Sequence, residues 1–366
     1  MFRISLIVFM AGSVAAAEPL QRVRVSDDGK TFVTVDAGRQ VQLWGVNYDH
    51  DRDNRLLEDY WHDEWPAVVE DFREIKELNA NCIRIHLQFA RFMKSTDEPD
   101  ANNLAQLAKL IALAEEHGLY LLITGLGCYH KQDVPPWYDA LSEDQRWQAQ
   151  AKFWQAIAAV GKDSPAVFAY DLMNEPILPG DKPESEWLAK PLGDKHFVQR
   201  IALDLAGRTR QNIAKAWVDM LATAIHEVDP QSMITVGVIP WAHVWPTARP
   251  LFYSPEVGRP LDFVSVHFYP ERGEVQKALD ALRVYEVGKP LVIEEIFPLK
   301  TSGEEVLQFI DDSKPIADGW ISFYWGETID ECEARGDMAG AITAAWLKQF
   351  RDNSRDRSPP PASVSE

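Results

Sequence analysis

Cysteine is scarce in this 366-residue chain: there are three, Cys82, Cys128 and Cys332. Three thiols cannot all pair within one chain, and no two of them stand in a C-x-x-C spacing, so neither a disulfide scaffold nor a zinc knuckle is built here. Cys82 lies in an apolar, strand-like run and reads as a packed thiol, whereas a pairing of Cys128 with Cys332 stays open on sequence alone. Basic residues are also short, 37 Lys and Arg against 56 Asp and Glu, a formal net charge of −19. A surface of that sign repels phosphate backbones and excludes nucleic acid as a partner. No G-x-G-x-x-G follows an early strand, which removes the signature of an open dinucleotide-binding sheet. Long apolar runs are missing beyond the first residues, so no later segment can cross a bilayer.

The first apolar run itself is short. Arg3, the stretch of residues 4–14 and the small residues Ala15, Ala16 and Ala17 follow the layout of a secretory leader cut after Ala17. The expected location is therefore secreted or periplasmic, with no membrane attachment after cleavage. Residues 18–40 contain "RVRVS" and "TFVTVD" on either side of Asp28-Gly29, a hairpin signal. Residues 353–366 are polar and proline-rich and read as a disordered tail.

Between these ends the chain keeps a rhythm. Strand-like segments "VQLWGVNY", "NCIRIHL", "LYLLITGL" and "AVFAYDLMNEP" alternate with amphipathic helical stretches. After the fourth strand comes the long helix "RQNIAKAWVDMLATAIHEVD". The second half continues with "MITVGVI", "LDFVSVHFYP", "PLVIEEIF" and "GWISFYWGE". Only the connection after the fifth strand, rich in Pro and Trp, lacks helical periodicity. Eight strand–helix units spanning residues 41–352 predict an α/β fold, a closed (β/α)₈ barrel behind a small N-terminal β-hairpin.

Barrel sites form where the strands end. Those ends carry Asn47 and Tyr48, Arg84 and His86, Asn174 and Glu175, His267 and Tyr269, Glu294 and Glu295, and Trp325 and Glu327. Two carboxylic acids with an arginine, a tyrosine and aromatic faces suit cleavage of a glycosidic bond: one acid protonates the leaving oxygen, the other attacks the anomeric carbon, and rings stack on sugars. The acidic stretch of residues 49–54 lacks the Gly and Glu of a calcium loop and reads as a solvated loop or groove rim. No set of residues supplies three convincing metal ligands.

In this order, "RIHL", "LMNEP", "VHFYP", "KPLVIEEIF" and "FYW" resemble family five of the glycoside hydrolases, in the retaining clan A, over about residues 43–350. The resemblance implies Glu175 as acid/base and a strand-seven glutamate as nucleophile. Alternation puts Val292 and Glu294 on one face and Leu291, Ile293 and Glu295 on the other, without saying which face is inward. The family pattern, five residues beyond Pro290, implies Glu295. It further implies that Asn174 binds the sugar 2-hydroxyl, that Arg84 keeps Glu295 ionised, that Tyr269 donates to the same carboxylate, that His267 binds a sugar hydroxyl, and that Trp325 floors the cleavage subsite. Trp325 also reads as a packing residue. Many members carry a histidine at the end of strand three; here that point holds Gly125 and Leu126, and His130 is the candidate substitute from the loop.

A retaining glycosidase of this kind needs no cofactor and no metal. The expected activity is endo-hydrolysis of a β-1,4-linked glucan or mannan, with Trp61, Trp137, Trp241 and Trp245 as sugar platforms and a monomeric enzyme acting on poly- or oligosaccharide. An exo-acting β-glycosidase and an inactive carbohydrate-binding barrel are the alternatives.

Overall fold

In the computed structural model, the structure describes residues 19–323 and 325–354. The leader read over residues 1–17 and the tail beyond residue 354 lie outside the described residues. Among the described residues no helix is long and apolar enough to cross a membrane.

The barrel strands are β1 (Leu43–Tyr48), β2 (Cys82–Gln88), β3 (Tyr120–Gly127), β4 (Val167–Asp171), β5 (Met233–Thr235 and Gly237–Val238), β6 (Val264–His267), β7 (Leu291–Ile296) and β8 (Gly319–Ser322). All neighbouring pairs are parallel. Strand β8 pairs with β1 through Leu43 and Gly319. The two halves of β5 pair with β4 and β6 respectively, which closes the ring. The break at Val236 is held by the Tyr253 hydroxyl, which accepts from the Val236 amide at 3.2 Å. Around the strands lie α1 (Trp65–Glu77), α2 (Ala101–His117), α3 (Glu143–Gly161), α4 (Arg210–His226), α5 (Trp241–Val244), α6 (Val275–Arg283), α7 (Gly303–Ser313) and α8 (Met338–Asn353). Their ends follow local chemistry. Asp100 caps α2 by accepting from the Asn103 amide at 2.8 Å, and Gly118 ends it at φ +61°. After β5 only the four-residue α5 forms, in keeping with the aperiodic sequence there.

The N-terminal hairpin is present as Val23–Val25 paired antiparallel with Phe32–Thr34, and it gains a third strand, Gln40–Val41. Its purpose is visible in its packing. Phe32 lies edge-on to Phe168 at 5.0 Å and to Phe263 at 5.2 Å, and belongs to one buried cluster with Leu43, Cys82, Leu122, Val292 and Ile321. The small sheet plugs the end of the barrel opposite the strand termini. Phe32→Ala is expected to destabilise the protein by about 3–5 kcal/mol, read as a lower denaturant midpoint, with activity per folded molecule unchanged.

All three cysteines are free and buried. Cys128 follows β3 and Cys332 sits in the short helix Ile329–Ala334, so the pairing left open by the sequence is not made.

Candidate active site

Arg84, fully buried on β2, is the hub. Its Nη1 donates to Glu295 Oε1 at 2.7 Å and to Asn47 Oδ1 at 2.9 Å. Its Nη2 donates to Asp171 Oδ2 and to Asn174 Oδ1, each at 2.9 Å, and its Nε lies 3.4 Å from Glu294 Oε1. The guanidinium fork thus joins strands β1, β2, β4 and β7. Three carboxylates surround one guanidinium, and they hold its pKa well above the ordinary value although burial opposes this.

Both strand-seven glutamates face the interior, which plain alternation does not allow. Leu291, Ile293 and Ile296 pack outward, while Val292 lies in the inner cluster. Parity therefore slips between Ile293 and Ile296, where the register of β7 against β8 shifts. The bulge turns Glu294 and Glu295 onto the same guanidinium. They differ in access: Glu294 is sealed, and Glu295 keeps 6% of its surface. Glu295 Oε2 also accepts from the Tyr269 hydroxyl at 2.6 Å. Burial acts to raise the Glu295 pKa, but the His267 and Arg84 charges and the Tyr269 hydrogen bond outweigh it and hold the carboxyl below its usual range.

Glu175 ends the turn after β4 with φ +46°, a left-handed conformation that a non-glycine residue adopts at a cost of about 1–3 kcal/mol. The Glu175 amide donates to Gly237 O at 2.9 Å, which fixes the strained backbone to β5. This geometry directs the side chain across the mouth toward β6, where His267 Nδ1 donates to Glu175 Oε1 at 2.9 Å. His267 Nδ1 is also 3.5 Å from Glu295 Oε2, and its Nε2 is 3.5 Å from Glu294 Oε2. Gly237 makes room for this crowd, since a Cβ there would meet Glu294 Oε2 at 2.5 Å. An oxygen of Glu175, a ring nitrogen of His267 and an oxygen of Glu295 all lie within 4.8 Å of one another. Among the described residues this trio is the group placed closely enough to hold a metal ion, and its atoms are already tied to each other by hydrogen bonds and charge.

Burial works to lower the pKa of His267, but the Glu295 charge, with Glu175 and Glu294, pushes it up from 6.5 to about 10. A native pKa above the unfolded one means that the folded protein binds this proton more tightly. The stabilisation is complete below pH 6.5 and is lost as pH rises through about 10. Unfolding free energies measured in urea are expected to decline over that window, and to decline less in His267→Asn.

Several neighbours were not singled out by sequence. Asp171 Oδ2 accepts from Thr124 Oγ1 at 2.8 Å as well as from Arg84, and its Oδ1 accepts from the Gly237 amide at 2.8 Å. Burial and the Glu294 charge raise its pKa to about 6 against the pull of Arg84. Its one sequence signal was an acid closing an apolar strand. Tyr129 donates to His86 Nδ1 at 2.5 Å, and the opposite ring nitrogen of His86 contacts Asn47 Oδ1 at 3.0 Å. Burial and Arg84 push His86 down to about 3, so it stays neutral.

Two candidates fall outside the cluster. Trp325 is 2% exposed and packs edge-on to Tyr48 at 5.7 Å; its ring is core, and among the described residues Phe323 lies beside Tyr269, with centroids 6.5 Å apart. His130, after β3, makes no hydrogen bond to the Arg84 network, and Tyr129 occupies that corner instead. Of the four expected platforms Trp61 is buried and Trp137 packs partly on the core, whereas Trp241 and Trp245 stack on each other at 5.2 Å and stay 40% and 56% exposed. In the acidic stretch Asp51 turns back on its own loop, accepting from the amides of Asp53 and Arg55 at 2.9 Å.

A closed (β/α)₈ barrel with two glutamates facing each other across its mouth, one braced by arginine and tyrosine and the other by histidine, defines a glycosidase. The chain belongs to glycosyl hydrolase family 5: the profile described as Cellulase (glycosyl hydrolase family 5) matches residues 35–309. No curated protein matches it in sequence. Among solved structures, the exo-β-1,4-mannosidase Op5Man5 from Opitutaceae bacterium strain TAV5 is similar with a TM-score of 0.67 at 16% identity, over 91% of this chain and 62% of that one. The β-1,4-mannanase of the sea hare Aplysia kurodai is similar at 0.63 and 16%, over 93% and 100%. The catalytic domain of Thermobifida fusca endoglucanase Cel5A gives 0.58 and 17%, over 92% and 98%. This chain thus spans 62% of the length of the mannosidase. Such distant likenesses establish the barrel.

Proposed function

We propose that this protein is a secreted, monomeric retaining β-glycosidase that cleaves β-1,4-linked glucan or mannan by double displacement. The observation that carries the proposal is the approach of Glu175, His267 and Glu295 to within 4.8 Å of one another. A gap of this order leaves room for direct attack on the anomeric carbon, about 5–5.5 Å between carboxyls, and not for the intervening water of an inverting site, about 6.5–9.5 Å. Glu295, held ionised, is the nucleophile. Glu175 donates its proton to the departing oxygen and then takes a proton from water as the ester is hydrolysed. Esterification of Glu295 removes one negative charge from beside Glu175 and His267, which changes what Glu175 feels between the two steps. Asn174, with its Oδ1 on Arg84 and one N–H on the Phe197 carbonyl at 3.0 Å, keeps its other N–H for the 2-hydroxyl.

The substrate class draws on the solved relatives, which are named as mannosidase, mannanases and endoglucanase. Secretion rests on the leader in residues 1–17. Proton NMR of the first product formed is the test, with the β-anomer expected. An α-anomer would discard double displacement even if both glutamates proved essential.

A further inference from the structure

Between β4 and α4 the chain inserts about thirty residues, 178–208, and this insertion does not stay on its own side of the barrel. Its far end is tied to the two residues before it, Pro176–Ile177 pairing in parallel with Gln199–Arg200. From there it crosses the end of β3: the His196 amide donates to Tyr129 O at 2.8 Å, and Gln199 Nε2 donates to Leu126 O at 2.9 Å. It then reaches the loop after β1, where Asn54 Nδ2 donates to Asp194 Oδ2 at 2.7 Å and Lys195 Nζ donates to Asn54 Oδ1. Lys195 is only 2% exposed, so its charge is enclosed in this tie.

The innermost part of the strap is Phe197. Its carbonyl takes the Asn174 amide, and its ring stands 4.9 Å from that of Tyr129 and 6.2 Å from that of Phe323. Phe323 in turn lies beside Tyr269, the donor to Glu295. Phe197 and Phe323, backed by the buried ring of Tyr129, therefore form a run of ring contacts from the end of β3 to the ring of Tyr269, on the nucleophile's side of the mouth. Away from the strap, a recess begins at Pro176, the residue that follows Glu175. It has a volume of about 250 Å³ and includes Val238 and Trp241, the latter stacked with exposed Trp245. The acid stands at that side, so the leaving part of the substrate departs there.

We propose that the strap of residues 192–197, locked to Asn54, closes the glycone side after a single sugar and makes this enzyme exo-acting, removing one monosaccharide at a time from the non-reducing end of a β-1,4-linked oligosaccharide. The proposal rests on the retaining glycosidase reading and reverses the endo-action expected from sequence. The physical reason is steric: an endo enzyme needs an open groove on both sides of the cleavage point, and here one side is filled by protein that hydrogen-bonds to Asn174.

The test uses the full chain on manno- and cello-hexaose reduced at one end, and on the same oligomers carrying a 4-O-methyl group on the non-reducing terminal sugar. Monosaccharide as the sole early product, with the blocked oligomers slower by at least about 10²-fold, is expected. Internal cleavage, giving early disaccharides or turnover of blocked oligomers at the unblocked rate, would overturn exo-action while leaving the glycosidase reading intact. Failure to hydrolyse any β-linked aryl glycoside or oligomer would overturn that reading and this inference with it. Asn54→Ala, checked for folding by its melting curve, unties the strap and should raise turnover of the blocked oligomers by about tenfold or more. No change in a folded variant would remove the strap as the barrier.

Discussion

Replacing Glu295 by alanine is expected to lower kcat by about 10⁴-fold or more, a barrier increase of about 5.4 kcal/mol at 1.36 kcal/mol per decade, with the fold retained. The expectation follows from the absence of a substitute. Glu294 is held on the same guanidinium, but it is sealed inside the barrel, and Tyr269 donates to Glu295. Removing the Glu295 carboxylate leaves a small gap at the mouth, and azide should enter it and restore turnover as an α-glycosyl azide. Stability should change little, because the loss of a buried carboxylate also relieves crowding around Arg84, where Asp171 and Glu294 remain as counter-ions. The companion Glu294→Ala should give no azide product. If azide rescued Glu294→Ala and not Glu295→Ala, the two glutamates would have to exchange roles.

Arg84→Met is expected to act on both stability and rate. The substitution keeps an unbranched, apolar stem and removes the guanidinium that reaches three buried carboxylates. Breaking a buried ion pair from one side costs about 3–5 kcal/mol because the partner charge stays behind uncompensated. Here Asp171 and Glu294 would lose their arginine deep in the barrel, and Glu295 would lose a charge that keeps it ionised. Thermal melting should therefore shift down. In the folded fraction the acid limb of kcat/KM should move to higher pH, since the Glu295 carboxyl would lose one of the two charges that hold it down, leaving His267 and the Tyr269 hydrogen bond. Arg84→Lys separates charge from geometry. It restores a cation but not the fork that binds Glu295, Asn47, Asp171 and Asn174 together, so stability should recover in part and rate much less. A Lys variant with full activity would show that charge alone is needed.

Much of this protein was determined locally. Alternation and helical periodicity specify eight strand–helix units, and the parallel strands, buried on both faces, read as the apolar runs seen in β2 and β3. The polar residues that close those strands are legible as a site because nothing in burial calls for them: Arg84, Asn174, Glu175, His267, Tyr269 and Glu295 come together as the motifs indicate. What the sequence does not contain is the slip of parity in β7, because a bulge is a matter of pairing with β6 and β8, and alternation carries no sign of it. Nor does it tell a core indole from a sugar platform. Trp325 is buried by Tyr48, and Trp241 is left open, through neighbours distant in the chain. The insertion of residues 178–208 has no periodicity at all. Its order comes from hydrogen bonds to β3 and to the loop after β1, made only once the barrel has closed. Local pattern thus sets which groups reach the mouth; the course of the strap across it is decided by contacts between segments 67 to 140 residues apart.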